Sequence, residues 1–176
     1  MQRHKSASMS DYANEIPAEL HSAYEERPFQ SCTRCGEALA AMESGYQIFK
    51  LFEGGEVIYE YAVCQPCHTG VMDQFSEHSR ARMAGYHSQR VTLNLGPHLC
   101  AVCGNERGED GEPQYALSAA CEGTSLRQSL MFCGGCLQEM QALLSPETRR
   151  TWQRFVDENL PGVPPEAISP AGLVTV

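Results

Sequence analysis

Apolar and polar positions follow one order along the chain, and they follow it twice. The runs YQIFKLF (46–52) and VIYEYAV (57–63) flank EGGE, and YALSAAC (115–121) and LRQSLMF (126–132) flank EGTS. Aromatic and branched residues on both sides of a glycine turn predict a β-hairpin in each place. Beyond each hairpin the pattern turns helical, in CHTGVMDQF and CLQEMQALL. A further helix is predicted with Ser145 as its N-cap and Pro146 at its first position. Trp152, Phe155 and Val156 give that helix one apolar stripe. Ser76 is placed to cap the matching segment earlier in the chain, where Gly85 weakens the far end.

The pattern fades elsewhere. Residues 1–28 are mostly polar and read as a largely flexible segment, with one short helix after Pro17. SQRVTLNLGPH joins the two patterned regions and has room for a short strand. LPGVPPEAISPAGLVTV is proline-rich and aperiodic, which reads as a flexible or extended tail.

Residue identities repeat together with the pattern. Moving the second half back by 68 positions lays Cys100 and Cys103 on Cys32 and Cys35. A shift of 69 lays Cys133 and Cys136 on Cys64 and Cys67, Glu122-Gly123 on Glu53-Gly54, and Ser145, Thr148 and Arg149 on Ser76, Ser79 and Arg80. Such self-similarity marks an internal duplication. It divides the chain into an N-terminal segment (1–28), a first unit (29–85), a connection (86–96), a second unit (97–158) and a tail (159–176).

The chain has 176 residues and nine cysteines, eight of them in the four Cys-x-x-Cys pairs. MQRHKSASMS is followed by no apolar run, so no secretory signal is read there. No stretch approaches the roughly 18 apolar residues of a membrane span. A reducing, cytoplasmic setting follows as the expectation, and there such pairs read as metal thiolates rather than disulfides. Two residues between cysteines let both sulfurs of a tight knuckle face one ion, and two knuckles complete a tetrahedral set. Gly36 and Gly104 suit a knuckle whose turn needs positive φ. Zinc is the expected metal, because the pairs lack the tight spacing of ferredoxin clusters, although iron fits the same ligands. Each copy carries a complete set, so the expectation is one ion on Cys32, Cys35, Cys64 and Cys67 and a second on Cys100, Cys103, Cys133 and Cys136. Cross-bracing between the copies is the other arrangement.

Knuckle, hairpin, and a second cysteine pair at a helix start resemble the treble-clef class of zinc fingers, over 29–85 and 97–158. The expected fold is therefore a small, metal-stabilised α+β protein of two tandem knuckle–hairpin–helix units. A zinc ribbon is the alternative, with the second pair on another hairpin. Units of about 60 residues sit near the limit at which an apolar core suffices, so the ions are expected to fold them.

The chemistry bounds function. An all-cysteine site keeps no place for water or substrate, so no enzyme is expected. His68 and His78 suggest a second metal of the nuclease kind, but Leu137 stands where the second unit would need His68, and an exposed histidine near a helix start is the plainer reading. Arg80 and Arg82, with Arg149 and Arg150, suggest phosphate contacts, with Tyr86, His87 and Trp152 near enough to stack on bases. Against this, the formal net charge is −9, and two Cys₄ zinc sites take it to about −13. Trp152 reads more simply as core, and Cys121, at the strand position of Phe52, as a small buried apolar residue. The primary expectation is a protein-binding module with two structural zinc ions. Nucleic-acid binding and a thiol redox switch that releases zinc are the alternatives. The redox reading is weakened by the expectation that closed, buried sites shield their thiolates.

Overall fold

The computed structural model describes residues 14–108 and 114–163. Both hairpins form where the pattern places them. β1 (Tyr46–Glu53) pairs with β2 (Glu56–Cys64), and β3 (Tyr115–Glu122) with β4 (Ser125–Cys133), all antiparallel. Each hairpin carries a register shift at the same place, between Leu51 and Phe52 and between Ala120 and Cys121. Each hairpin leads directly into helices: α1 (Gln65–Met72) and α2 (Glu77–Arg90), then α3 (Gly134–Ala142) and α4 (Pro146–Asn159). The short helix after Pro17 is a 3₁₀ turn, Ala18–Leu20.

The two copies do not stand apart. β1 pairs antiparallel with β3, which gives one four-stranded sheet in the order β2-β1-β3-β4. Phe49 lies opposite Ser118, its own counterpart, while Tyr46 lies opposite Cys121 and Phe52 opposite Tyr115. The same surface thus meets itself about a pseudo-two-fold axis, as at an isologous dimer interface.

The helices trade places across that axis. On one face of the sheet, Trp152 and Phe155 of α4 pack against Tyr61 of the first hairpin, at 5.8 Å between ring centroids in each case. Reciprocally, Tyr86 and Arg90 of α2 reach Glu139 on α3. The N-termini of α2 and α4 meet at the axis in four hydroxyls. Ser76 Oγ accepts from Ser79 N and Ser145 Oγ from Thr148 N, each 3.2 Å, as ordinary N-caps do. In a capping box the third helical residue would then reach back to its own cap N–H. Here it reaches across: Ser145 N donates to Ser79 Oγ (2.8 Å) and Ser76 N to Thr148 Oγ1 (3.0 Å). Ser79 and Thr148 are fully buried, so these bonds replace water for their hydroxyls.

The other face of the sheet is covered by residues 14–30, which corrects the expectation of flexibility for residues 14–28; the part of that expectation covering residues 1–13 lies outside the described residues. Ile16 and Leu20 are buried. Lys50, which is buried, and Glu60, which is partly so, are cross-strand neighbours facing this side and form an ion pair (3.2 Å). The Lys50 ammonium also donates to His21 O, and Glu60 accepts from Ser22 Oγ and Ala23 N, both at 2.8 Å. These partners satisfy two charges that would otherwise be costly to bury. Leu126 N donates to Asn14 O (2.7 Å), Arg107 pairs with Glu19, and Arg107 also covers Tyr115, which stacks on Phe52 at 4.7 Å. A polar segment holds here because its polar groups are used, not because it is apolar.

The connection also differs from expectation. Residues 86–90 of the expected 86–96 connection belong to α2, and no strand forms in SQRVTLNLGPH; Thr92 N instead donates to Ala101 O (2.7 Å). The tail beyond residue 163 lies outside the described residues.

Candidate metal centres

Each centre is assembled from one turn and one strand–helix junction. The first pair sits in a tight knuckle closed by a glycine. Gly36 (φ +77°) donates to Cys32 O at 2.8 Å, and Gly104 (φ +75°) to Cys100 O at 2.9 Å. Positive φ is what only glycine adopts without strain. The second pair begins at the last residue of the hairpin. Cys64 closes β2 and caps α1, with Cys67 in its first turn; Cys133 closes β4 and caps α3, with Cys136 in its first turn. A helix N-terminus favours negative charge, which suits a thiolate.

These elements bring Cys32, Cys35, Cys64 and Cys67 together, and separately Cys100, Cys103, Cys133 and Cys136, with the sulfurs of each set within 4.8 Å of one another. The cross-braced arrangement is therefore not formed. Cys35 and Cys64 Sγ are 3.8 Å apart, and Cys103 and Cys133 Sγ 3.7 Å. A tetrahedral ion at about 2.3 Å from each sulfur would space them at about 3.8 Å.

The electrostatics also fit a cation. Burial alone would raise the Cys32 thiol, but N–H groups of Cys35, Cys64 and Arg34 bring it down to about 7. Cys100 is brought to about 7 in the same way, by Cys103, Cys133 and Val102. The remaining thiols of the second pairs behave oppositely. Burial first, and then the neighbouring sulfurs, push Cys67 and Cys136 well up. Each set thus favours one thiolate and resists the next, and a divalent ion supplies the missing positive charge. Either set could hold one metal ion.

Two expectations about exposure need correction. The centres are not uniformly buried: Cys32, Cys64, Cys100 and Cys136 are, but Cys35 and Cys103 are exposed. The first pair lies on a turn at the rim of the sheet, and its outer sulfur faces solvent. His68 is not exposed either, being 6% accessible. It occupies the core position that Leu137 holds in the second half, because α1 turns that side of its first turn towards the sheet. Its equivalence to a leucine was visible in the duplication, and that was the available signal.

Other singled-out residues fall as follows. Trp152 and Cys121 are buried, so the indole cannot stack on a base. Arg80, Arg82 and Arg150 are exposed, Arg149 donates to Gln141 O (3.1 Å), and Arg90 pairs with Glu139. His78 is exposed on α2. Among the described residues, the groups of three or more His, Cys, Asp or Glu able to share an ion are the two cysteine sets. No described helix is long and apolar enough to cross a membrane.

Residues that sequence reasoning passed over are Thr33 and Arg34, inside the first knuckle. Thr33 Oγ1 accepts from Ala62 N (3.1 Å), and Arg34 Nη1 donates to Cys67 O (3.2 Å). Their counterparts are Ala101 and Val102, so the departure from the repeat was the only trace they left. No protein-family model, curated protein or solved structure matches the chain.

Proposed function

We propose that the protein holds two zinc ions as structural elements and works as a protein-binding module, with each half a treble-clef-like unit. The observation that carries the metal reading is the spacing of the sulfurs, 3.8 and 3.7 Å across the two pairs of each set. Four cysteine ligands leave no open position, so the ions fold the chain and take no part in a reaction. Zinc suits a tetrahedral all-thiolate set of this geometry. The order of knuckle, hairpin and helix in each half supports the treble-clef reading over a ribbon, since both second pairs stand at helix starts.

The partner reading is supported by a surface feature and a charge. Tyr24 is 94% exposed at the tip of the Ser22–Arg27 turn, whose base is fixed by Ser22 and Ala23 on Glu60. A rigidly mounted, solvent-exposed aromatic is the kind of anchor that protein interfaces use. The net charge of −9 favours a partner with a basic face over nucleic acid. Native mass spectrometry of reduced protein against a denatured control tests the first half of this reading, with two zinc ions per chain expected. Disulfides in place of ions would overturn it and put the redox reading first. The second half requires that a captured partner be lost with Tyr24→Ala while both ions remain; capture that survives Y24A would remove the proposed anchor.

A further inference from the structure

The two centres share a ligand set but not the scaffold around it. Common to both is a bond from the first knuckle to the edge strand, Thr33 N to Ala62 O (2.7 Å) and Ala101 N to Met131 O (2.8 Å). Common also is a bond from the second pair to the first, Cys64 N to Cys32 Sγ and Cys133 N to Cys100 Sγ, both 3.4 Å. The first half then adds two side-chain bonds, Ala62 N to Thr33 Oγ1 and Arg34 Nη1 to Cys67 O. The second of these crosses directly from one knuckle to the other without passing through the sulfurs. In the second half those positions are Ala101 and Val102, whose side chains carry no donor or acceptor. Thr92 N does donate to Ala101 O, but this fastens the knuckle to the connecting segment and not to Cys133 or Cys136.

We propose that the Cys100/Cys103/Cys133/Cys136 centre is the exchangeable metal site of this protein, and the Cys32/Cys35/Cys64/Cys67 centre the permanent one. The inference rests on both sets holding a divalent ion. Metal leaves such a site when thiolates detach in turn and a competitor takes the vacated positions. The exposed sulfurs, Cys35 and Cys103, are the first that a competitor reaches. When Cys35 detaches, Thr33 and Arg34 hold its knuckle against Ala62 and Cys67, and the thiolate rebinds. When Cys103 detaches, its knuckle lacks both ties and swings away more readily. Two hydrogen bonds of ordinary net strength correspond to about tenfold in the rate of metal loss. Loss at the second centre would also be felt in the first half, because α3 is capped by Cys133, holds Cys136 in its first turn and carries Glu139, the partner of Tyr86 and Arg90 on α2. The duplicated fold thereby gains a second site that can report available zinc while the first keeps the sheet assembled.

The test uses the full chain loaded with zinc. After the ions are counted by native mass spectrometry, the protein is placed in excess EDTA, alkylated at intervals and mapped by peptide. The expected result is a one-zinc intermediate in which Cys100, Cys103, Cys133 and Cys136 are labelled about tenfold faster than the first set. Equal rates, or faster labelling of the first set, would overturn the assignment. The double variant Thr33→Ala with Arg34→Val should raise the loss rate of the first centre to within about threefold of the second. If that variant still binds two ions and its rates do not move, the ties are not the cause and the proposal falls. A count below two before EDTA is added would instead overturn the metal reading underneath it.

Discussion

Cys121, alone outside the knuckles, shows how a side chain's meaning depends on what surrounds it. Burial raises its thiol to about 11, although the Tyr46 hydroxyl beside it pulls the other way. The folded state therefore keeps its proton at pH values where the unfolded chain gives it up. Its contribution to stability is complete below about pH 9 and declines between about 9 and 11. Iodoacetamide at pH 8 should modify Cys121 only after denaturation, and Cys121→Ala should flatten the alkaline fall in thermal stability. Rapid labelling of native protein at this residue would contradict its placement. Glycines give a paired test. A Cβ on Gly45 would lie 2.7 Å from Cys121 O at φ +79°, whereas one on Gly85, inside α2, meets nothing within 4 Å. Gly45→Ala should cost about 1–3 kcal/mol, and Gly85→Ala should stabilise by about 0.5–1 kcal/mol. Chemical denaturation measures both.

Among the elements, the exchanged caps of α2 and α4 carry the clearest consequence. Removing the Ser79 hydroxyl leaves Ser145 N–H without its partner on the far helix, in a part-buried place beside the fully buried position 79. Ser79→Ala is expected to cost about 1–2 kcal/mol, towards the lower end of what an unsatisfied buried donor costs. Thr148→Ala does the same to Ser76 N. Because all four hydroxyls form one network, the double variant should cost clearly less or more than the sum of the singles. Strict additivity in a double-mutant cycle would mean that the two caps act separately. The hairpins and helices that frame this network were legible in the chain, since alternation, glycine turns and the Ser-Pro start each act within a few residues. What the caps would bond to was not legible. Ser79 and Thr148 look like ordinary third-position residues until the other helix is brought beside them.

At the scale of the whole molecule, the shared sheet and the traded helices make the halves one cooperative body. One hydrophobic cluster runs from Ile16 through Leu51 and Leu117 to Val156. Urea unfolding of zinc-loaded protein should therefore show one transition, by circular dichroism and by Trp152 fluorescence alike. Cys64→Ser should do more than lower the zinc count from two to one. It should loosen β2 and the packing of α4 on Tyr61, so that Trp152, in the other half of the sequence, reports the loss. The cost should be several kcal/mol, a fraction of the roughly 10–16 kcal/mol that structural zinc contributes in small peptides. A Trp152 signal unchanged by C64S would show that the halves fold independently.

The chain by itself determined what short-range chemistry can write. Cys-x-x-Cys spacing, a glycine at positive φ after each knuckle, and alternating residues about Glu53-Gly54 and Glu122-Gly123 specify the local units and the ligands each could offer. Duplication made a complete set in each copy readable as well. Tertiary structure decided everything that depends on one copy meeting the other. The pairing of Phe49 with Ser118, the crossing of α4 onto the first hairpin, and the burial of a polar segment through Lys50 and Glu60 join residues far apart in sequence. Local pattern carries no record of such contacts, because each side chain's period is satisfied equally well by any apolar or hydrogen-bonding surface that closes over it.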